Sequence, residues 1–308
     1  MTERSQKILE TYLMRKTRKQ KTAFLEFMKG ELPHAVVEES GLFHSRNLIV
    51  GDLACAKVVL AAHYDTCAAL PFPNLLMPKN ILGTVLYALL LCIPVCLVSI
   101  LLSTVAMLLT GCFWVTYLAV WLVFVAILLL LFAGPPNPST VNDNTSGVLM
   151  LCELMEQLDE EALAQTVFVF FDNEENGLLG SSQFRKKHKK EMERKLLINF
   201  DCISDGDHIL LMLSKKARLA YGGLFQEAFK EEGDKKVRLE KSATTLYPSD
   251  QMGFPVHAGV AAFRRNRLFG LYLGRIHTKR DTVLDENNIE CIFGGMRRFL
   301  KLVGEEKF

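Results

Sequence analysis

The chain has 308 residues, 36 Lys and Arg against 34 Asp and Glu, and half of its residues are hydrophobic. That length holds one large domain or two small ones, and a net charge of +2 gives no general attraction for a polyanion. The two basic runs, KTRKQK from Lys16 and RKKHKK from Arg185, lack the aromatic or glycine-rich motifs that accompany nucleic-acid binding and read as solvated surface.

Eight cysteines, Cys55, Cys67, Cys92, Cys96, Cys112, Cys152, Cys202 and Cys291, form no CxxC pair. This argues against a disulfide framework or a thiolate zinc site and suits a reducing compartment. In chain order, MTERSQKILETYLMRK shows a charged amphipathic helical pattern with no apolar h-region, so no cleavable signal peptide is expected. AKVVLAAHYD (Ala56–Asp65) reads as a buried strand. From Asn80 to Asn142 there is no Asp, Glu, Lys, Arg or His. Inside that stretch, Ile81–Leu109 and Phe113–Ala133 each exceed the roughly 20 apolar residues that cross a bilayer core. Trp114, Tyr117 and Trp121 open the second block as interfacial aromatics do.

The expectation is a two-helix hairpin in lipid over residues 81–133. A buried soluble helical pair is disfavoured, because neither block has a polar stripe. Two crossings return the chain to its starting side. Lys79 and the basic N-terminal region lie there, so the positive-inside bias places the main domain in the cytoplasm, on a cell-membrane protein with two spans.

Beyond the hairpin, SGVLMLCELMEQLDEEAL from Ser146 has helical spacing behind a serine cap. Gln165–Asp172, Lys195–Asp201, His208–Ser214, Val260–Arg265 and Leu268–Gly274 read as strands. YGGLFQEAFKEEG and NNIECIFGGMRRFLKLVGEE read as helices. The alternation predicts an α/β fold with a doubly wound, mixed central sheet flanked by helices. The hairpin would be an insertion at 80–136, between an N-terminal part at 1–79 and the remainder at 137–308.

Polar groups gather at the strand ends: His63 and Asp65 after the first strand, Asp172 to Glu175 after FVFF, and Asp201 after LLINF. Asn142-Asp143-Asn144 precedes the Ser146 helix, and His277 follows a last strand-like segment. Doubly wound sheets bind ligands at that edge. Crowded carboxylates repel unless protons or cations neutralise them, and a mixed His/carboxylate set suits Zn²⁺, with Mn²⁺ or Co²⁺ as alternatives.

HYD, DNTSG, FFDNEENGLLGS, NFD, SDQ and HTKRDT, in that order, resemble the zinc-dependent aminopeptidases of clan MH, the bacterial leucyl aminopeptidase and aminopeptidase Y type. The resemblance runs from Lys57 to the C-terminus, less the hairpin. It implies a zinc-exopeptidase fold and two divalent metals, most commonly zinc, about 3.5 Å apart. His63 and Asp201 would be ligands of one metal, Glu175 and His277 of the other, and Asp143 the bridge. Asp65 would orient His63, and Glu174 would be the general base for a metal-activated water. Ser249 and Tyr247 are candidates for lining the substrate site or for a structural loop role. A cis peptide is common in that family after the bridging aspartate, here Asp143–Asn144. Two positions depart from its pattern: Asn142 stands for an aspartate, and Gln251 for a histidine whose loss would bear on specificity.

The activity implied is hydrolysis of the N-terminal bond of short peptides. A glutaminyl cyclase, a single-zinc relative, and an inactive peptidase-like binding domain are the alternatives; the complete ligand set disfavours both. Oligomeric state, P1 preference and native metal stay open.

Overall fold

The computed structural model describes residues 1–230 and 235–306. Two N-terminal helices, α1 (Glu3–Thr11) and α2 (Arg18–Glu31), precede strands β1 (Val36–Ser40), β2 (Ser45–Val50) and β3 (Val58–His63). Two long helices follow, α3 (Ile81–Thr110) and α4 (Phe113–Ala133). Then come α5 (Ser146–Gln157), α6 (Glu160–Ala164), β4 (Thr166–Phe171), α7 (Leu179–Lys187), β5 (Leu196–Phe200) and β6 (His208–Leu213). The chain continues through α8 (Lys215–Ala228), β7 (Lys236–Lys241), β8 (His257–Asn266), β9 (Gly270–Tyr272) and α9 (Glu286–Glu305).

Nine strands form one mixed sheet in the order β1-β2-β4-β3-β5-β8-β6-β7, with β9 on β8. The run β4-β3-β5-β8 is parallel, so the carboxyl ends of those strands share one edge. The alternation of side chains follows from the two-residue strand period. In β3, Val58, Leu60 and Ala62 face the larger core, while Val59 and Ala61 face the smaller one with Phe184 of α7.

Several expectations shift in detail. The strands at 36–50 and 236–241 give no signal in the sequence: β1 and β7 are edge strands with half-exposed, polar-rich patterns, and β2, paired on both sides, opens on the polar Ser45-Arg46-Asn47. Tyr221, read as a helix start, lies in the middle of α8, and residues 231–233 of that expected helix fall outside the described residues. The last strand is only Gly270–Tyr272, so His277 is carried by a loop and not by a strand end. Lys21, placed by its basic run on the surface, is 6% exposed. Its ammonium bonds Asp172 Oδ1 at 2.6 Å and Asn173 Oδ1 at 2.7 Å.

No residue of α3 or α4 is buried, and both are long and apolar enough to cross a membrane. They meet through a left-handed Gly111 (φ 60°). Their roots are stitched to the sheet domain. Ala69 N–H donates to Pro135 O at 2.9 Å, and Asn137 N–H to Cys67 O at 3.1 Å. Lys16 Nζ donates to Phe132 O at 2.6 Å, capping the carboxyl end of α4.

The turn after β4 is closed by Asn47, which accepts from Asp172 N–H at 3.0 Å and donates to Gly180 O at 3.0 Å. A Cβ on Gly180 would stand 2.1 Å from Asp172 O and 2.6 Å from Asn47 Oδ1. Gly180→Ala should therefore destabilise the protein by about 1–3 kcal/mol, read as a lowered thermal midpoint; an unchanged midpoint would show that this turn has slack.

Candidate metal centre

Three neighbouring strand ends build the floor. β3 ends at His63, β5 runs into Asp201, and the turn after β4 presents Glu174 and Glu175. Asp143 comes from the irregular turn ahead of α5, where the Asp143–Asn144 peptide is cis. His277 arrives on the loop before α9 with a left-handed backbone (φ 59°).

These side chains converge. Asp143 lies between two imidazoles, Oδ1 at 3.4 Å from His63 Nε2 and Oδ2 at 3.0 Å from His277 Nε2. His63 Nε2 is 3.6 Å from Asp201 Oδ1, and His277 Nε2 is 3.3 Å from Glu175 Oε2. Donor atoms of His63, Glu174 and Asp201 all lie within 4.8 Å of one another. Asp201 Oδ1 and Glu175 Oε1 are buried and accept no hydrogen bond. A buried carboxylate oxygen without a partner is costly, and a divalent cation is the partner that this His/carboxylate donor set suits. The residues fit the metal.

The supporting contacts explain why these atoms are aimed inward. The Asp65 carboxylate accepts from the backbone N–H groups of Glu174 at 3.0 Å and Glu175 at 3.2 Å. His63 Nδ1 pairs instead with the Asp65 carbonyl at 3.0 Å, and the carboxylate stands off at 3.6 Å. Asp65 thus orients the imidazole through its backbone, leaving Nε2 free to face the centre, and holds both glutamates with its side chain.

Ser249 and Tyr247 are buried behind Asp201. Ser249 Oγ donates to Asp201 Oδ2 at 2.6 Å, and Tyr247 OH donates to Asp201 O at 3.0 Å. Neither lines the cavity beside Glu175 and His277. Asn142 accepts from Ser204 N–H at 2.8 Å and Asp205 N–H at 3.0 Å, a task any side-chain carbonyl oxygen can do. Gln251 is folded inward, accepting from Asn199 Nδ2 at 3.0 Å and donating to Tyr247 O at 3.2 Å.

Four further residues belong to the site and were not singled out from sequence. Asp281 accepts from Asn142 N–H at 3.0 Å and Asp143 N–H at 2.9 Å, fixing the backbone that presents the Asp143 carboxylate. Asp250 is fully buried near the centre with neither oxygen hydrogen-bonded. Arg15 is fully buried, donating to Tyr64 O and to Thr145 Oγ1, and so ties the N-terminal arm to both ligand-bearing segments. Cys67 stands within 4.8 Å of Glu175 and His277 donors. Burial and the nearby carboxylates push its thiol well above the usual range, so it stays protonated beside the oxygen and nitrogen donors. Asp250 and Asp281 stand inside motifs already quoted, SDQ and HTKRDT; Arg15 and Cys67 carried no pattern signal.

A nine-stranded mixed sheet with His and carboxylate side chains massed at its parallel carboxyl edge defines the class of metal-dependent α/β hydrolases. The sequence profile of peptidase family M28 matches residues 130–291. The chain belongs to that family and is a metal-dependent peptidase, in agreement with the resemblance drawn from its motifs.

Solved structures share the fold. The LapA aminopeptidase of Legionella pneumophila superposes with a TM-score of 0.57 at 12% identity, over 99% of this chain and 70% of that one. The glutaminyl cyclase of Porphyromonas gingivalis gives 0.58 at 14% identity, over 97% and 96%. A glutaminyl cyclase from an Acidobacteriales bacterium gives 0.59 at 14%, over 98% and 92%. No curated protein matches significantly by sequence.

Electrostatics give the centre a signature. Burial lifts Glu175 to about 8 against the pull of His277, with Asp143 adding to the rise. Burial lifts Asp250 to about 7. Burial opposes charge on His277, yet Glu175 and Asp143 outweigh it and raise the imidazole to about 9. Asp143 moves the other way: burial is overcome by the two imidazoles, which hold its carboxyl well below the usual range.

Each raised group binds protons more tightly folded than unfolded, so its stability is present at low pH and lost as pH rises through the folded value. The contribution of Asp143 is lost only in strong acid. Chelator-treated protein should therefore show a thermal midpoint that falls from about pH 5 to about pH 9. Saturating zinc should raise the midpoint and flatten the slope, because the metal takes the place of the protons. A midpoint flat with pH in chelator would contradict the crowding.

Proposed function

We propose that the chain is a membrane-anchored, co-catalytic zinc aminopeptidase that hydrolyses the N-terminal bond of short peptides. What carries the reading is Asp143, placed between His63 and His277 with one oxygen toward each, at 3.4 and 3.0 Å. A carboxylate in that position would have one oxygen for each of two cations. His63, Asp143 and Asp201 would hold one, and Asp143, Glu175 and His277 the other. Bound there, the pair would acidify a water toward neutral pH and polarise the scissile carbonyl.

The residues of the chain do the rest. Glu174 is half-buried beside His63 and Asp201. Burial, with Glu175, Asp250 and Asp201 adding, raises its proton affinity well above the ordinary carboxylate range, against the opposing pull of His63. Such a carboxylate can take the proton of the attacking water and hand it to the leaving amine as the C–O bond forms and the C–N bond breaks. Its position is fixed by the Asp65 contact to its own N–H. Adjacent Glu175 leaves the turn in another direction, toward His277. The paired carboxylates thus divide two tasks, one as ligand and one as base. Ser249 and Tyr247 act on this chemistry through Asp201.

A second reading, a single-zinc glutaminyl cyclase, draws support from the near-complete overlap with two solved glutaminyl cyclases. It would close an N-terminal glutamine on its own α-amine with release of ammonia. The two readings separate on one panel: release of an N-terminal residue from a free-amine peptide against ammonia release from an N-terminal glutamine.

For the anchor, the two exposed apolar helices support insertion of 80–136 between 1–79 and 137–308, and the basic N-terminal region with Lys79 favours a cytoplasmic peptidase domain. Glu174→Gln should lower kcat by about 10²–10⁴-fold while metal content by elemental analysis stays unchanged. Full activity in that variant removes Glu174 from the mechanism, and equal cleavage of an N-acetylated peptide removes the aminopeptidase assignment. Cys55, exposed on the main domain, should react with an impermeant maleimide only after intact cells are opened; labelling beforehand would invert the topology.

A further inference from the structure

The hairpin is more than a tether, because it supplies wall to the substrate site. Leu131 and Phe132, in the last turn of α4, line the same cavity as Asp65, Glu175 and His277. That cavity holds only about 190 Å³, below the ~300 Å³ at which pockets take a ligand of drug size. It accommodates a terminal residue and not a peptide chain.

Beside it runs a groove of about 550 Å³. Its apolar walls include Leu70, Phe72, Leu130 and Pro135, and its rim carries Lys279 and Arg280. Leu70 lines both spaces, and its N–H donates to the carbonyl of His277 at 2.8 Å. The groove therefore continues directly from the metal centre. One wall, Leu130, belongs to a helix with no polar face, so the groove opens at the level where that helix would leave the bilayer. The two rim cations stand where anionic headgroups would lie.

We infer that this groove receives the substrate chain beyond its first residue, and that the substrates are peptides with apolar residues after the N-terminal one, presented from the bilayer surface. The inference rests on the peptidase reading and adds the substrate class. Water-soluble polar peptides would leave the walls at Phe72 and Leu130 wet. An apolar segment covers them and is already concentrated at the membrane where the centre is fixed.

The test uses the full chain in nanodiscs containing anionic lipid. Two pentapeptides share the first two residues, Leu-Ala, and continue with either Leu-Leu-Phe or Ser-Ser-Asn. The apolar peptide should show a kcat/KM at least about tenfold higher, the lower end expected for burying one large apolar side chain. Phe72→Ser should reduce that ratio severalfold, and Phe72→Leu should restore it. Equal rates for the two peptides, or a ratio untouched by Phe72→Ser, would overturn the inference.

A benzophenone-bearing apolar pentapeptide, photolysed with zinc-loaded Glu174→Gln protein, gives a readout that needs no turnover. Crosslinks mapped to 69–73 or 130–135 support the groove, and crosslinks elsewhere or none refute it. If neither peptide is cut, the peptidase reading fails, and the crosslink map still decides the groove.

Discussion

The structure turns on an electrostatic constraint: carboxylates from three separate segments are gathered in a crevice that water barely reaches. Asp143, Asp201, Glu174 and Glu175 lie within a few ångströms of two imidazoles, and two of their oxygens have no hydrogen-bond partner. Without compensation, burial and mutual repulsion push protons onto Glu174 and Glu175. The scaffold holds the groups there regardless. Parallel β4, β3 and β5 deliver Glu174, Glu175, His63 and Asp201 to one edge, and Asp281 and Asp65 grip the backbone on either side with paired N–H contacts. A centre organised this way suits a divalent cation, which would take the place of those protons.

The apolar hairpin of α3 and α4 interrupts this centre in sequence but not in space. His63 and Asp143 are separated by two long helices, yet the chain leaves and returns through neighbouring hydrogen bonds, Ala69 to Pro135 and Asn137 to Cys67. A closed-ended insertion costs little beyond ordering its roots. Because the roots line the cavity beside Glu175 and His277, the distance between that cavity and the apolar helices is set by backbone contacts. A flexible linker would leave that distance free.

Much of this was legible in the sequence, and the parts that were not share a cause. His63, Glu174, Glu175 and Asp201 stand out because ligand-type residues follow buried strands whose ends converge, whereas Asp143 and His277, on a turn and a loop, and the roles of all six, were legible only through the motif order of the family that the chain resembles. The hairpin was legible because 63 uncharged residues separate Lys79 from Asp143. The edge strands β1 and β7 escaped, since half-exposed pairing leaves no apolar run, and β2 escaped because it opens on Ser45-Arg46-Asn47. Lys21 escaped because a basic run looks solvated until a distant Asp172 meets one of its members. The task of Asp65 was read only halfway. Its motif marks it as a partner of His63, while its grip on the glutamate backbone depends on a turn more than a hundred residues away. Contacts of that kind are set by tertiary placement and leave no local pattern.

The claim beneath all of this is that five side chains hold a pair of cations with Asp143 shared between them. Metal analysis after equilibrium dialysis against buffered zinc tests it most directly, comparing the native chain with Asp143→Ala. The account requires two zinc equivalents in the native protein and loss of at least one in the variant. A native chain that binds no zinc, or a variant that binds as much as the native one, would contradict it.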